Sequence, residues 1–253
     1  MVAAAQINPP FLYSAEVNMA QSFGVVEGKL CEAEFFLSQF SGSSRFSFDA
    51  QCYFSAFVSA ARSVTLALQA TMSGVADFEQ WYEAAQAKLK ADPLAPFFLQ
   101  IRNHSVHRGL NPLNRVTLDH LREDLFNQMH QRERSHVLVL PDANSESSTV
   151  LADAVEASRL YFVSLVNVVF ECYERFKYAV DPQWYFTREN FVAMGRTFED
   201  ALAELGFPPG WASCAPPADD GWRALRSQQP PCQVNHLFQK YIGREVAGPD
   251  GGE

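Results

Sequence analysis

The five cysteines of this 253-residue chain, Cys31, Cys52, Cys172, Cys214 and Cys232, are odd in number and widely spaced, with no Cys-x-x-Cys pair among them. That spacing argues against a disulfide framework and against a zinc site, so the first three read as small apolar core residues. No Gly-rich phosphate loop, no nucleophile elbow and no His-Glu-x-x-His pair is present, so P-loop, α/β-hydrolase and zincin chemistry are not expected. The longest strongly apolar run, Leu160 to Phe170, is about half of the ~20 residues that a bilayer crossing needs. The first ten residues have neither a basic start nor a sustained apolar core, so no secretory signal is expected and a cytoplasmic location is. No repeat or low-complexity tract divides the chain, whose length suits one large domain or two small ones.

Charge is unevenly distributed. The formal net charge of -9 argues against a general affinity for nucleic acid, which is bound through phosphate neutralisation by Lys and Arg. Any contact with RNA or DNA is therefore expected to be local. From Pro93 to Leu118 there is no acidic residue at all, and Arg102, His104, His107, Arg108 and Arg115 fall inside that window. An acidic chain thus carries one basic segment, suited to a phosphate.

Periodicity places this segment on a helix. Apolar residues at Phe23, Val26, Leu30, Ala33 and Leu37 mark one face of a first helix between Ser14 and Phe40. A second is expected from Ser47 or Asp49 to about Met72, lined in part by the small residues Ser55, Ala56, Ser59, Ala60 and Ser63. Phe78 to Lys90 reads as a third helix, with Phe78, Trp81, Tyr82, Ala85 and Leu89 inward. Asp92 and Pro93 open a fourth, ending near Gly109. A polar helix from about Leu118 to Gln131, a short strand at His136 to Leu140, a long buried helix from the serines near Ser147 to Val180 and another from Thr187 to Leu205 complete the expectation. Half of the prolines lie beyond Gly206, so an irregular tail is expected there, with an apolar island of Val234, Leu237, Phe238, Tyr241 and Ile242 able to dock on the core. The fold class is therefore all-α: an antiparallel bundle of four to five core helices with further helices packed on it.

On a helix Asn103 and His107 share a face, with Arg102 just to one side. Arg offers a planar fork for phosphate oxygens, and His changes charge near neutral pH, as proton transfer requires. The helix C-terminus favours the charged form of His, which suits a general acid.

The run Arg102-Asn103-His104-Ser105-Val106-His107, an Arg, a polar residue and then a His after four intervening positions, resembles the signature of the HEPN superfamily of helical bundles. The small-residue helix from Phe54 to Ser63, and Trp81-Tyr82 followed by Asp92-Pro93-Leu94 and Phe97-Phe98, are similar to the helices that precede it there. The resemblance covers about residues 14–110 and implies a HEPN-like helical domain over residues 1–205, with residues 206–253 as a Pro/Gly-rich extension. It also implies metal-independent endoribonuclease chemistry, without cofactor, in a composite cleft between two protomers. In that site His107 would be the general acid or base, Arg102 would stabilise the pentacoordinate phosphate and Asn103 would position either group, while His104, Arg108 and Arg115 add phosphate contacts. Toxin members that pair with a nucleotidyltransferase carry a Tyr two residues after the His; here Gly109 stands at that position, so such modification is not expected.

Plainer readings stand beside these. Arg102, Asn103 and His107 could simply bond the last carbonyls of their helix. Arg62, within an apolar helix, is expected to need a carboxylate partner. Asp119, His120, Glu123 and Asp124 have metal-ligand types, yet with Arg115 and Arg122 beside them they read as a charge-paired solvated face. Glu171, Glu174, Arg175 and Lys177 read the same way, and Trp81, Tyr82, Phe97 and Phe98 as core. The functional alternatives are an RNA-cleaving or RNA-binding protein, a module that binds a free nucleotide at the basic helix end, and a non-catalytic interaction module that dimerises or holds a protein partner such as an antitoxin; no membrane association is expected.

Overall fold

The structure, a computed structural model, describes residues 23–44, 47–92, 94–108, 113, 137–141, 149–214, 218–229 and 233–250. It is an all-α fold with one small β-hairpin. Helix α1 (Gly24–Gly42) buries Val26, Leu30, Ala33, Leu37 and Phe40, the apolar spacing that marks it in the sequence; the part of that first helix expected before residue 23 lies outside the described residues. Helix α2 (Phe48–Thr71) begins at Ser47, whose side chain accepts from the Ala50 N–H at 3.0 Å, a cap of the kind that contributes about 1 kcal/mol. The two helices pack along each other, with the Phe40 and Phe54 rings 5.1 Å apart beside the connecting turn.

Helix α3 (Phe78–Ala91) turns back along α2, where Gln69 donates to the Tyr82 hydroxyl at 2.8 Å and that hydroxyl donates to the Thr65 carbonyl at 3.4 Å. Helix α4 (Leu94–Arg108) opens as expected on Asp92, whose Oδ1 accepts from the Leu94 N–H at 2.9 Å. The other carboxylate oxygen of Asp92 accepts from the Ser164 hydroxyl at 2.9 Å, so one side chain caps α4 and ties it to the next long helix.

That helix, α5 (Ala154–Val180), buries Tyr161, Phe162, Leu165, Val166, Val168, Val169, Cys172, Tyr173 and Phe176 against α1, α2 and α4. It starts later than expected. Residues Thr149–Asp153 form strand β2, antiparallel to β1 (Val137–Pro141), with Val137 opposite Asp153 and Pro141 opposite Thr149. The run Val150-Leu151 pairs with the apolar strand read at His136 to Leu140, and Asp153, accepting from the Glu156 N–H at 2.8 Å, caps the helix. The polar helix expected over Leu118 to Gln131 lies outside the described residues.

The single helix expected from Thr187 to Leu205 is two, α7 (Arg188–Ala193) and α8 (Phe198–Glu204), after the short α6 (Pro182–Tyr185). The break is at Gly195, with φ +70°: the Gly195 N–H bonds the Val192 carbonyl at 3.0 Å and the Arg196 N–H reaches the Phe191 carbonyl at 2.8 Å, a Schellman ending. Thr197 and Asp200 then form a reciprocal capping box that restarts the helix. Gly206 ends α8 by the same device.

Past Gly206 short helices alternate with irregular links, giving more order than the proline content suggests. Trp222 and Leu225 of α9 (Ala218–Ser227) complete a second core with Phe186, Phe191, Ala201 and Leu202. Helix α10 (Asn235–Ile242) is the apolar island of the sequence, and it docks: Phe238 lies edge-on to Phe170 and Tyr241 edge-on to Phe162, while Lys240 and Tyr241 both bond Glu34 of α1.

Between α5 and α6, Asp181 is only 3 % exposed. Burial pushes its carboxyl above the ordinary 3.8, against the opposing pull of the Tyr173 hydroxyl, the Gln183 N–H and Lys177. Since the folded value exceeds the unfolded one, the stabilisation linked to this proton is complete at low pH and is lost as pH rises through the raised value. Urea melts of wild type and Asp181→Asn should therefore converge, or cross in favour of the variant, as pH rises above the ordinary carboxyl value; a constant difference would show that ionisation of Asp181 does not govern this joint. Gly195→Ala should cost about 1–2 kcal/mol, because a Cβ disfavours the left-handed conformation, read as a lower urea midpoint at unchanged slope.

Candidate functional site

Helix α4 is seated by aromatic packing one turn before the basic segment. Phe98, 1 % exposed, stacks on Tyr161 of α5 with ring centroids 4.7 Å apart and planes 6° from parallel, and it meets Phe57 of α2 edge-on at 6.1 Å. Ile101 is buried on the same side. From Lys88 on Glu171, through Asp92 on Ser164, to Phe98 on Tyr161, α3 and α4 advance toward the N-terminal end of α5.

Arg102, four residues after Phe98, stands at the edge of this buried stripe and is half-buried, whereas Asn103 is exposed. The Arg102 guanidinium donates through Nη1 to Asn103 Oδ1 at 3.3 Å. Among the described residues that is the bond Arg102 makes; it is not folded back onto the helix carbonyls, as the plainer reading would have it. The bond leaves the fork at the surface and orients the Asn103 amide so that its N–H donors face away from the guanidinium. His104, His107 and Arg108 belong to the same helix, His107 one turn beyond Asn103, but their side chains lie outside the described residues, as does all of Arg115. The structure thus brings Arg102 and Asn103 together and places the His107 backbone on the next turn.

The Tyr161 hydroxyl, near Arg62, Tyr82 and Asp92, lies toward the start of α4. Burial pushes the Tyr161 hydroxyl up to about 12, with the positive charge of Arg62 working against that rise and Asp92 and Tyr82 adding to it. Tyr161 is therefore a protonated hydroxyl at neutral pH and serves as packing, not as a base. Arg62 itself corrects an expectation: among the described residues it forms no carboxylate pair, but donates to the Thr65 hydroxyl at 2.9 Å. It is half-buried rather than enclosed, so its stem packs while water solvates the head.

The other plain readings stand. Tyr82 and Phe98 are buried, and Trp81 and Phe97 pack against the core. Glu171, Glu174 and Arg175 are exposed, with Lys88 pairing Glu171 at 3.3 Å; Lys177 pairs with Glu174 at 3.4 Å but is half-buried over the Trp184 ring. Asp119, His120, Glu123 and Asp124 lie outside the described residues, and no group of three His, Cys, Asp or Glu able to hold a metal occurs among the described ones. No described helix is long and apolar enough to cross a membrane.

Sequence reasoning missed two polar groups of the C-terminal half. Arg196 donates to Glu204 Oε1 at 2.6 Å and to the Tyr185 hydroxyl at 3.2 Å, and lies over the Phe191 ring. Arg226, 6 % exposed, bonds the Phe186 carbonyl and Asp250. Their partners are far apart in sequence, so no spacing signals them; among the described residues, Glu204 Oε2 and Arg226 Nε are buried without a hydrogen-bond partner.

The fold is that of a helical bundle with a basic segment on its fourth helix. Residues 42–119 match the model of the family described as bacteriophage lambda protein ea47. That segment is under a third of the chain and runs from the end of α1 through all of α2, α3 and α4. No curated protein and no solved structure matches the chain.

Scaffold and site should separate in stability measurements. Ile101→Ala, which empties a buried position, should cost about 2–5 kcal/mol. Asn103→Ala, at an exposed position, should stay within about 0.5 kcal/mol of wild type. A loss at Asn103 equal to that at Ile101 would mark the pair as structural.

Proposed function

We propose that this protein is a HEPN-like RNA-binding protein whose Arg102, Asn103 and His107 form a metal-independent endoribonuclease site, composite between two protomers. The observation that carries this reading is the surface-held pair of Arg102 and Asn103, at 3.3 Å, on a rigidly seated helix within a window free of acidic residues. In such a site a base takes the proton of the ribose 2'-hydroxyl, and the oxygen attacks the adjacent phosphorus. The 5'-oxygen leaves with a proton from an acid, giving a 2',3'-cyclic phosphate. His107 fills one of the two proton-transfer roles, and a second His107 from the facing protomer supplies the other. Arg102 stabilises the added negative charge of the pentacoordinate phosphate, and the Asn103 amide holds a non-bridging oxygen. DNA, lacking the 2'-hydroxyl, is not cleaved.

The net charge of -9 favours a second reading: a small anion, such as a free nucleotide, or a protein partner such as an antitoxin, rather than a long RNA. Labelled single-stranded RNA of mixed sequence, incubated in EDTA, separates them. Wild type should yield cyclic-phosphate ends, and Arg102→Ala and His107→Ala should each reduce the rate by about 100-fold or more. Equal background from all three proteins would remove the nuclease and leave the binding module.

A further inference from the structure

Arg226, in the last turn of α9, is the one buried cation among the described residues. Its side chain is 8 % exposed. Nη1 donates to the Phe186 carbonyl at 3.4 Å and Nη2 bonds Asp250, while Nε is buried without a partner. The Arg226 backbone is tied down too, since its carbonyl accepts from Gln183 Nε2 at 2.9 Å. A guanidinium presents Nε and Nη2 side by side on one edge, a fork that takes two oxygens of a carboxylate or a phosphate. Here that edge is half used: Asp250 reaches Nη2, and the donor beside it is left over.

Asp250 is held far less firmly than the group it serves. Its side chain is 50 % exposed, and among the described residues Arg226 is its partner. The tail that carries it is anchored before this point. Asn235 accepts from the Val246 N–H at 3.0 Å and donates to the Val246 carbonyl at 3.1 Å, and the Val246 side chain is buried. Ala247 and Gly248 beyond it are exposed. Arg226 therefore keeps its place through α9, whose Trp222 and Leu225 lie in the second core, whereas Asp250 depends on Arg226 for its own. Without that carboxylate a buried positive charge would present two adjacent unpaired donors, and an enclosed charge is costly unless it is paired and hydrogen-bonded.

We infer that the Nε–Nη2 edge of Arg226 is an anion site for a carboxylate or phosphate group, with Asp250 as its internal occupant. An anion free of the chain can turn two oxygens to the edge, which Asp250, tethered through Val246, does not do. Once such an anion holds the edge, residues 247–250 lose the contact that fastens their end, so binding of a ligand and release of the tail go together. The site goes beyond the function proposed above, and none of its residues lies on α4.

Thermal melts of the full chain in chloride, acetate and phosphate, at one pH and one ionic strength, test the site with Asp250→Ala, which vacates it from a half-exposed position. In chloride the variant should melt below wild type. Acetate or phosphate should raise its melting temperature by several degrees more than that of wild type, because an anion that binds the folded protein stabilises it by mass action. A gain in acetate identifies a carboxylate site, and a gain in phosphate alone a phosphate site. NMR relaxation of the Gly248 amide separates the occupants: it should be ordered in wild type in chloride and mobile in Asp250→Ala in every salt. A variant that melts with wild type in chloride overturns the inference, as does a deficit that neither anion narrows. So does a Gly248 amide as ordered in the variant as in wild type.

Discussion

The stacking of Phe98 on Tyr161 is the contact on which the arrangement of this molecule turns. Helix α4 has a narrow buried stripe, Phe98 and Ile101, and the proposed site lies on the turns beyond it. An aromatic pair at 4.7 Å with parallel planes, closed by the edge of Phe57, fixes both the rotation of α4 about its axis and its height against α2 and α5. Asp92 sets the other end of the same helix by capping its first turn and holding Ser164. With two anchors on one helix, α4 is held against the core as far as Ile101, next to Arg102.

The C-terminal half is organised by another principle. The main core is made by long helices whose apolar stripes interlock, whereas the second cluster is made by short helices that could not persist alone. Each begins and ends on a specific device: Asp181 for α6, Thr187 for α7, and Thr197 with Asp200 for α8, with glycines in the left-handed conformation at 195 and 206. Buried ionic groups join these pieces where the apolar area is too small to do so, Arg196 with Glu204 within the cluster and Arg226 with the tail at Asp250. This half shares no residue with the basic segment.

Long periodic helices were legible in the sequence because a stripe of apolar residues has one geometric meaning: α1 to α4 and α10 lie where the spacing places them, and Ser47 and Asp92 cap as their residue types demand. The N-terminal end of α5 was not, since Val150 and Leu151 satisfy a helix or a strand equally, and only pairing with Val137–Pro141 decides. Nor was the break at Gly195, because the same apolar spacing continues through it; a glycine that ends a helix by left-handed capping differs from a tolerated one only in its hydrogen bonds. Arg62 misleads because an arginine among apolar neighbours reads as enclosed, while it is half-buried and its guanidinium bonds Thr65. At the candidate site, the sequence identified the residue types and the helical phase of Arg102 and Asn103. It could not show that the guanidinium bonds Asn103 rather than the helix end.

The contrast between a net acidic chain and an acid-free basic window restricts what the proposed site can hold. Counterion release rewards a ligand for each phosphate neutralised by a cation, and in the acidic remainder of this chain further phosphates meet repulsion instead. Affinity should then saturate after the one or two phosphates that the end of α4 can reach, so a long polyanion gains little over a short one. Discrimination must come from what lies beside that phosphate: the 2'-hydroxyl for an RNA, the base for a nucleotide.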